Sequence, residues 1–253
     1  MTAIYTALKQ CLDEGQLVAL ATVIAGPGLG NKLLIWPDGR TQGSLGSASL
    51  NESAVRGAAP LLAAHDPGQV QLEVEGSAMT VFIDVFPPLP KLIVVGAVHI
   101  AIPLVTFAKT LGFRTIVVDA RSAFATRERF PHADELIVEW PNTALEKLRL
   151  DEATYVVVIT HDDKLDVPAL QTALASPARY VGVLGSTRAH AKRCQALKEL
   201  GVTDEQLARI HAPIGLAMGA IGPEEIALSI MSEIVAVRHG IGGRHPRAMS
   251  DRA

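Results

Sequence analysis

The sequence predicts an α/β chain in which a small α+β N-terminal domain precedes a doubly wound parallel sheet. Three observations predict it. From Lys91 onward, short charge-poor runs rich in Val and Ile alternate with helical stretches, the rhythm of right-handed strand–helix–strand crossovers. Before Phe86 the chain reads instead as local hairpins and single helices. The two regimes meet at "FPPLP", 86–90, where successive prolines lack amide donors and restrict their predecessors, so neither sheet nor helix is expected to cross. The boundaries are therefore 1–86 for the first domain, 87–90 for the linker, 91–238 for the second domain and 239–253 for a flexible tail.

The elements follow in order. An amphipathic helix over about 2–14 precedes a strand in "QLVALATVI" and the glycine-rich "AGPGLGN". "KLLIWPDGRTQGSL" has the form of a hairpin with its turn at Pro37, Asp38 and Gly39. "LNESAVRGAAPLLAAH" is helical, with Asn51 or Ser53 near its cap. "QVQLEVEGSAMTVFIDVF" gives two strands meeting at Gly76. After the linker, strands are expected in "KLIVVG", "TIVVDA", "ELIVEW", "TYVVVIT" and "YVGVLG", runs suited to parallel strands buried on both faces.

Composition narrows the function classes. Residues are 49% hydrophobic and 19% charged, enough apolar matter for a sizeable core. The net charge is −3 and no basic run is interleaved with aromatics, which speaks against nucleic acid. The uncharged stretch 92–108 is short for a membrane span and is interrupted by Gly96, His99 and Pro103. The first 15 residues lack the basic head and apolar core of a signal peptide. Cys11 and Cys194 form neither a disulfide framework nor a metal-ligand pair. A cytoplasmic protein is expected, with Cys194 a half-buried thiol.

The stretch "LIVVGAVHIAIPLVTFAKTLGFRTIVVDAR", 92–121, has the layout of a dinucleotide-binding turn. In a Rossmann turn the first glycine permits the bend, the second lets backbone approach the pyrophosphate, and the third allows close helix–strand packing. Those positions are Gly96, Val98 and Ala101 here. Val98 places a branched side chain where phosphates need space. Asp119, 23 residues after Gly96, is placed to bind a ribose hydroxyl. With Ala97 and His99 the turn leaves three readings open: an NAD(P) site, an altered nucleotide or pterin-phosphate site, and a structural turn. His99 could contact phosphate, relay a proton or cap the helix.

Other candidates gather at the expected carboxyl edge of the sheet, where open α/β folds keep ligands. Gly185, Ser186 and Arg188 supply a glycine, a hydroxyl and a guanidinium after "YVGVL". Arg121 and His161 would converge on the same edge, with surface pairing for the arginines and capping beside Asp162 for His161 as the alternatives. Gly215 and Gly219 bring a further loop there. Gly28, Gly30, Asn31 and Lys32 form a glycine-rich loop with a cation, either an anion seat or an ordinary connection. In "PEEIALSIMSEIVAV", Pro223 suits a first helical turn, Glu224 and Glu225 complement the dipole, and Ile226, Ile230, Ile234 and Val237 form an apolar stripe.

Taken in order, "VVGAVHIA", "VVDAR", "VVVITHDDKLDVPAL", "YVGVLGSTRAHAKR" and "HAPIGLAMGAIGPEEIALSIMSEIVAVRHG" resemble the XdhC/CoxI family of accessory proteins for molybdenum hydroxylases. The resemblance rests chiefly on Pro213, Ile214, Gly215, Leu216, Gly219, Ala220 and the "PEEIA" at 223–227. It implies a protein that binds molybdenum cofactor, protects it during sulfuration and delivers it to a xanthine dehydrogenase-type client. A cysteine desulfurase partner and a homodimer are implied too, and Leu216 joins the candidate cofactor-binding set. NAD(P) oxidoreduction and a non-binding scaffold are the alternatives. The chain departs from the family pattern in several places: "ATVIAGPGLGNKLLIWPDG" lacks the family's Ser-x-Pro-Arg stretch, Ser47 and Ala48 stand at usual glycines, Ser49 at a Cys, Asn51 at a Glu, Val98 at a Gly, Ala217 at an Asp and Asp163 at a His. A serine hydroxyl neither ligates molybdenum nor passes sulfur as a thiolate does.

Overall fold

The computed structural model describes residues 2–74 and 77–241. The Gly76 turn, and the tail from 242 onward, lie outside the described residues. The chain divides into two compact units between Pro88 and Leu89.

In the first unit, helix α1 (Thr2–Asp13) is followed by β1 (Val18–Ala25), β2 (Lys32–Ile35), β3 (Thr41–Ser44), helix α2 (Ala48–Ala64), β4 (Gly68–Val74) and β5 (Ser77–Phe86). The strands form one antiparallel sheet in the order β3-β2-β1-β5-β4. Alternate residues of β1 and β5, Ala19, Ala21, Val81 and Ile83 among them, face Leu50, Ala54, Ala58 and Leu62 of α2. The cap differs from the sequence expectation. Ser47 Oγ accepts from the Leu50 amide at 3.3 Å and starts the helix, while Asn51 Oδ1 accepts from the Leu45 amide at 2.9 Å. Starting earlier brings Leu50 into the same buried stripe as Ala54 and Ala58.

The second unit runs β6 (Lys91–Val95), α3 (Ala101–Thr110), β7 (Arg114–Val118), β8 (Glu135–Ile137), α4 (Pro141–Lys147), β9 (Thr154–Val158), α5 (Asp163–Leu174), β10 (Tyr180–Val183), α6 (Thr187–Glu199), α7 (Asp204–Leu207), β11 (Ile210–His211) and α8 (Pro223–Arg238). All pairs are parallel, in the order β11-β10-β9-β6-β7-β8. Winding outward from β6 in both directions makes the gap between β6 and β9 the switch point. Successive residues of β6 serve opposite layers: Leu92 and Val94 pack with α3 and α8, Ile93 and Val95 with α4 and α5.

Two strand expectations need correction. The strand in "ELIVEW" is three residues long and only partly buried, because β8 is an edge with one neighbour. A sixth strand, β11, pairs beside β10 through Ile210 and His211, too short to leave a pattern in sequence. Among the described residues, no helix is long and apolar enough to cross a membrane.

Candidate functional site

The turn after β6 is closed by the chain itself. Gly96 has φ +116°, and a Cβ there would stand 2.9 Å from the Thr160 amide nitrogen, so only glycine lets the turns after β6 and β9 touch. The next amide, Ala97 N–H, donates to Asp119 Oδ2 at 2.8 Å. Arg129 Nη1 donates to the Ala97 carbonyl at 2.8 Å. Val98 is half-buried and packs on the hydrophobic cluster between the sheet, α3 and α8. His99 is exposed.

Asp119 occupies the position from which a ribose would be held, but its side chain is 0% exposed. Oδ1 accepts from the Arg121 amide at 2.9 Å and Nε at 2.8 Å, and Oδ2 accepts from Ala97 N–H and from Arg121 Nη2 at 2.7 Å. Four donors match the roughly four lone-pair sites of a carboxylate. Burial pushes its pKa up, yet the Arg121 and amide bonds outweigh that and hold it below the ordinary range. Arg121 is thereby fixed, its guanidinium 4.5 Å from the Phe124 ring centre.

At the end of β9, His161 is exposed and adopts φ +61°, an uncommon conformation for a side-chain-bearing residue. It does not cap α5; Asp162 does, accepting from the Lys164 amide at 3.0 Å. Below it lies a buried polar knot. Thr160 Oγ1 donates to Asp166 Oδ1 at 2.5 Å, and Arg193 Nη2 meets Asp166 Oδ2 at 2.8 Å. Arg193 Nη1 also donates to the Leu184 carbonyl at 3.2 Å, joining the ends of β9 and β10. Gly185, at φ +149°, lies against it, with a Cβ there standing 2.8 Å from Arg193 Nη1. Ser186 caps α6, accepting from the Ala189 amide at 3.3 Å. Arg188, in the first turn of α6, is exposed.

Beyond β10 and β11 the loop 212–220 encloses a hollow of about 550 Å³. Leu184, Ile214, Leu216 and Ile226 give it apolar walls, and Thr187 and Ser229 add hydroxyls. Gly215 has φ +89° and backs onto Ser229. Its amide donates to Glu233 Oε2 at 2.8 Å.

Glu233 is the residue that sequence reasoning missed. It is 5% exposed within the apolar face of α8. Besides Gly215 it takes the Tyr180 hydroxyl at 2.5 Å and His211 Nδ1 at 3.1 Å, which sets the Nδ1–H tautomer of His211 because a carboxylate only accepts. Burial raises its pKa, but the three donors overcome that and leave it below the ordinary glutamate range. A signal existed: Ile226, Ile230, Glu233 and Val237 follow the helical spacing of a core stripe, and one member is charged.

The candidates thus fall into two neighbouring groups. Gly96, Ala97, Val98, His99, Asp119, Arg121 and His161 surround the switch between β6 and β9. Gly215, Leu216 and Gly219 line the hollow, with Gly185, Ser186 and Arg188 flanking Thr187 on its rim. The groups lie two strand spacings apart, roughly 10 Å. In the first unit, Lys32 Nζ donates to Thr22 Oγ1 at 2.9 Å and Asn31 Nδ2 to the Leu45 carbonyl at 3.2 Å, so the glycine-rich loop there has its cation engaged. Ser49 lies exposed on a separate hollow of about 450 Å³ with Gly28, Ser47, Ser53 and Glu73. Among the described residues, no three His, Cys, Asp or Glu side chains come together to hold a metal ion.

Comparison with known proteins bears on this arrangement. A family profile described as the XdhC Rossmann domain matches residues 92–234, and one described as the XdhC and CoxI family matches 11–73. The chain is 34% identical over 169 residues to the uncharacterized protein YqeB of Escherichia coli K12, covering 66% of this chain and 31% of that protein. It is 35% identical over 157 residues to a probable xanthine dehydrogenase subunit of Bacillus subtilis 168, covering 62% and 46%. It is 38% identical over 90 residues to the molybdenum cofactor insertion chaperone PaoD of E. coli K12, covering 36% and 28%. The chain therefore matches less than half the length of each of these curated relatives. A crystal structure described as a xanthine dehydrogenase from Bacillus halodurans superimposes with a TM-score of 0.54 at 21% identity, covering 97% of both chains, which shows a shared fold. With one profile spanning more than half its length and a second matching its N-terminal unit, the chain belongs to the XdhC/CoxI family.

Proposed function

We propose that this protein is an accessory factor that binds molybdenum cofactor and hands it to a xanthine dehydrogenase-type molybdenum hydroxylase. The observation that carries the reading is the hollow of about 550 Å³ beside the capped start of α6, in a chain that shares 38% identity over 90 residues with a molybdenum cofactor insertion chaperone. Its size falls within the usual range for small-molecule sites. The cofactor is a pterin carrying a dithiolene and a terminal phosphate. The apolar walls suit the pterin, and Ser186, Thr187 and Arg188 at the amino end of α6 suit the phosphate. The donor set fits these organic parts rather than a bare metal ion.

When bound, the cofactor supplies the molybdenum chemistry that the client enzyme uses. The residues of this chain bind it, orient it and keep water from one face. Ser49 offers no thiolate, so in this reading the sulfur is furnished by a cysteine desulfurase. The protein acts in the cytoplasm as a homodimer. An NAD(P) site at the β6 turn is the weaker reading, because Asp119 already accepts four hydrogen bonds from the protein.

Calorimetry on the purified protein tests this, with molybdenum cofactor released anaerobically from a donor enzyme and, separately, NAD(H) and NADP(H). The expected result is micromolar binding of the molybdenum cofactor alone. Arg188→Ala should weaken it roughly tenfold, about 1.4 kcal/mol, the size of one lost charged contact. Nicotinamide binding would favour the oxidoreductase reading, and no binding to either would favour a scaffold.

A further inference from the structure

We propose that the hollow beyond β10 and β11 recognises the 2-amino-4-oxopyrimidine edge of a fused bicyclic heterocycle, the edge that pterins and guanine share. The inference rests on the carrier reading and assigns which part of the ligand this pocket takes. Its starting point is the hydrogen-bond pattern of the loop. The Leu216 amide donates to the Ser229 carbonyl at 3.2 Å. The Ile221 and Gly222 amides both donate to Glu225 Oε2, at 2.9 and 3.4 Å. Between these anchors, Ala217, Met218, Gly219 and Ala220 all line the hollow, and neither their amides nor their carbonyls are hydrogen-bonded to other described residues.

A run of backbone groups without protein partners offers both N–H donors and C=O acceptors at the hollow. A lactam edge, with a carbonyl acceptor beside ring N–H and amino donors, can pair with backbone donors and acceptors of this kind. Leu184, Ile214, Leu216 and Ile226 give the ring faces apolar contact. Among the described residues, no charged side chain lines the hollow, so they do not select a carboxylate or a phosphate by themselves. Arg188, adjacent to the lining residue Thr187, stands outside for whatever anion the ring carries.

The wall is also held in advance of binding. Gly215 is pinned to Glu233 at 2.8 Å and sits against Ser229 where no Cβ fits. Preorganisation of this kind lowers the ordering cost of binding.

The test is a titration of the full chain with neopterin, GMP and inorganic phosphate, and with molybdenum cofactor, each repeated on Ala217→Phe. Ala217 is exposed on the loop, so a phenylalanine there obstructs the hollow without entering the core. Neopterin or GMP should bind the wild-type chain and inorganic phosphate should not compete. Ala217→Phe should weaken neopterin and molybdenum cofactor alike by at least tenfold with an unchanged melting temperature. Tighter binding of GMP than of neopterin would keep the edge chemistry and name a guanine nucleotide as its source. If molybdenum cofactor binds wild type and Ala217→Phe equally, the pocket assignment falls and the carrier reading stands. If neopterin and GMP both fail to bind at millimolar concentration while molybdenum cofactor binds, the edge assignment falls. If nothing binds, both readings fall together.

Discussion

The main-chain amide of Gly215 donates to the buried carboxylate of Glu233 at 2.8 Å, tying the wall of the hollow to α8. The Tyr180 hydroxyl and His211 Nδ1 complete the set at 2.5 and 3.1 Å, so one side chain joins β10, β11, the loop and the helix. Because its folded pKa lies below the ordinary value, Glu233 contributes stability that is fully present above the unfolded carboxylate value of about 4.3 and is lost as pH falls through its lowered pKa. Glu233→Gln should therefore destabilise the protein at pH 7 by about 2 kcal/mol, since an amide cannot accept from all three donors. Thermal melts between pH 7 and pH 3 check this. The gap between wild type and variant should narrow on the acid side, and a gap constant across that range would remove the assignment.

Val98 and Asp119 together decide whether the β6 turn can be made into a nucleotide site. Restoring a glycine with Val98→Gly removes half-buried packing from the core and adds backbone freedom, a loss of roughly 1–2 kcal/mol. It leaves Asp119 accepting from Ala97 and Arg121, with no lone pair turned toward a ribose. The expected outcome is a less stable protein that still shows no saturable NAD(H) or NADP(H) signal in fluorescence titration. Micromolar nicotinamide binding by the variant would mean that Val98 alone had closed the site.

The strand–helix alternation after Lys91 was legible because each buried parallel strand must be apolar on both faces, and Leu92, Ile93, Val94 and Val95 satisfy that in four consecutive letters. The special glycines were legible for a similar reason: Gly96, Gly215 and Gly219 adopt positive φ, and few other residues do so without strain. The two-residue β11 was not, since its existence depends on pairing Ile210 with Val181 rather than on any local preference. Nor was the inward turn of Asp119. Its position at the end of β7 suits a ribose acid, and only the folded chain brings Ala97, 22 residues earlier, into reach of the same oxygen. Ser47 as the cap of α2 was missed because Asn51 and Ser53 are equally good capping types, and the choice among them belongs to the core stripe that Leu50 begins.

Asp166 and Arg193 form an ion pair whose side chains are 0% and 4% exposed. Burial lifts the Asp166 pKa above the ordinary range, so desolvation outweighs the Thr160 hydrogen bond and the Arg193 charge that favour its carboxylate. Removing one partner leaves the other charged and buried, with Asp163 Oδ1 at 3.4 Å as a weaker neighbour. Asp166→Ala should cost about 3 kcal/mol in denaturant unfolding. Asp166→Leu combined with Arg193→Met should recover most of that, because two apolar groups of similar bulk leave no uncompensated charge. A double variant as unstable as the single one would show that the pair contributes attraction beyond its own desolvation.

Ser47 tests the first unit by itself. Its hydroxyl accepts from the Leu50 amide and so satisfies one of the free donors at the start of α2. The helix carries no acidic residue in its first turn, so no side-chain charge there supports its amino end. Ser47→Ala should lower stability by about 1 kcal/mol, and Ser47→Asp should match or exceed wild type by capping with a charge that also suits the helix dipole. Hydrogen exchange at the amides of 48–51 reads the effect locally: faster in the alanine variant, no faster than wild type in the aspartate one. Equal exchange in all three proteins would mean that packing of Leu50 and Ala54 against the sheet fixes the helix start without the cap.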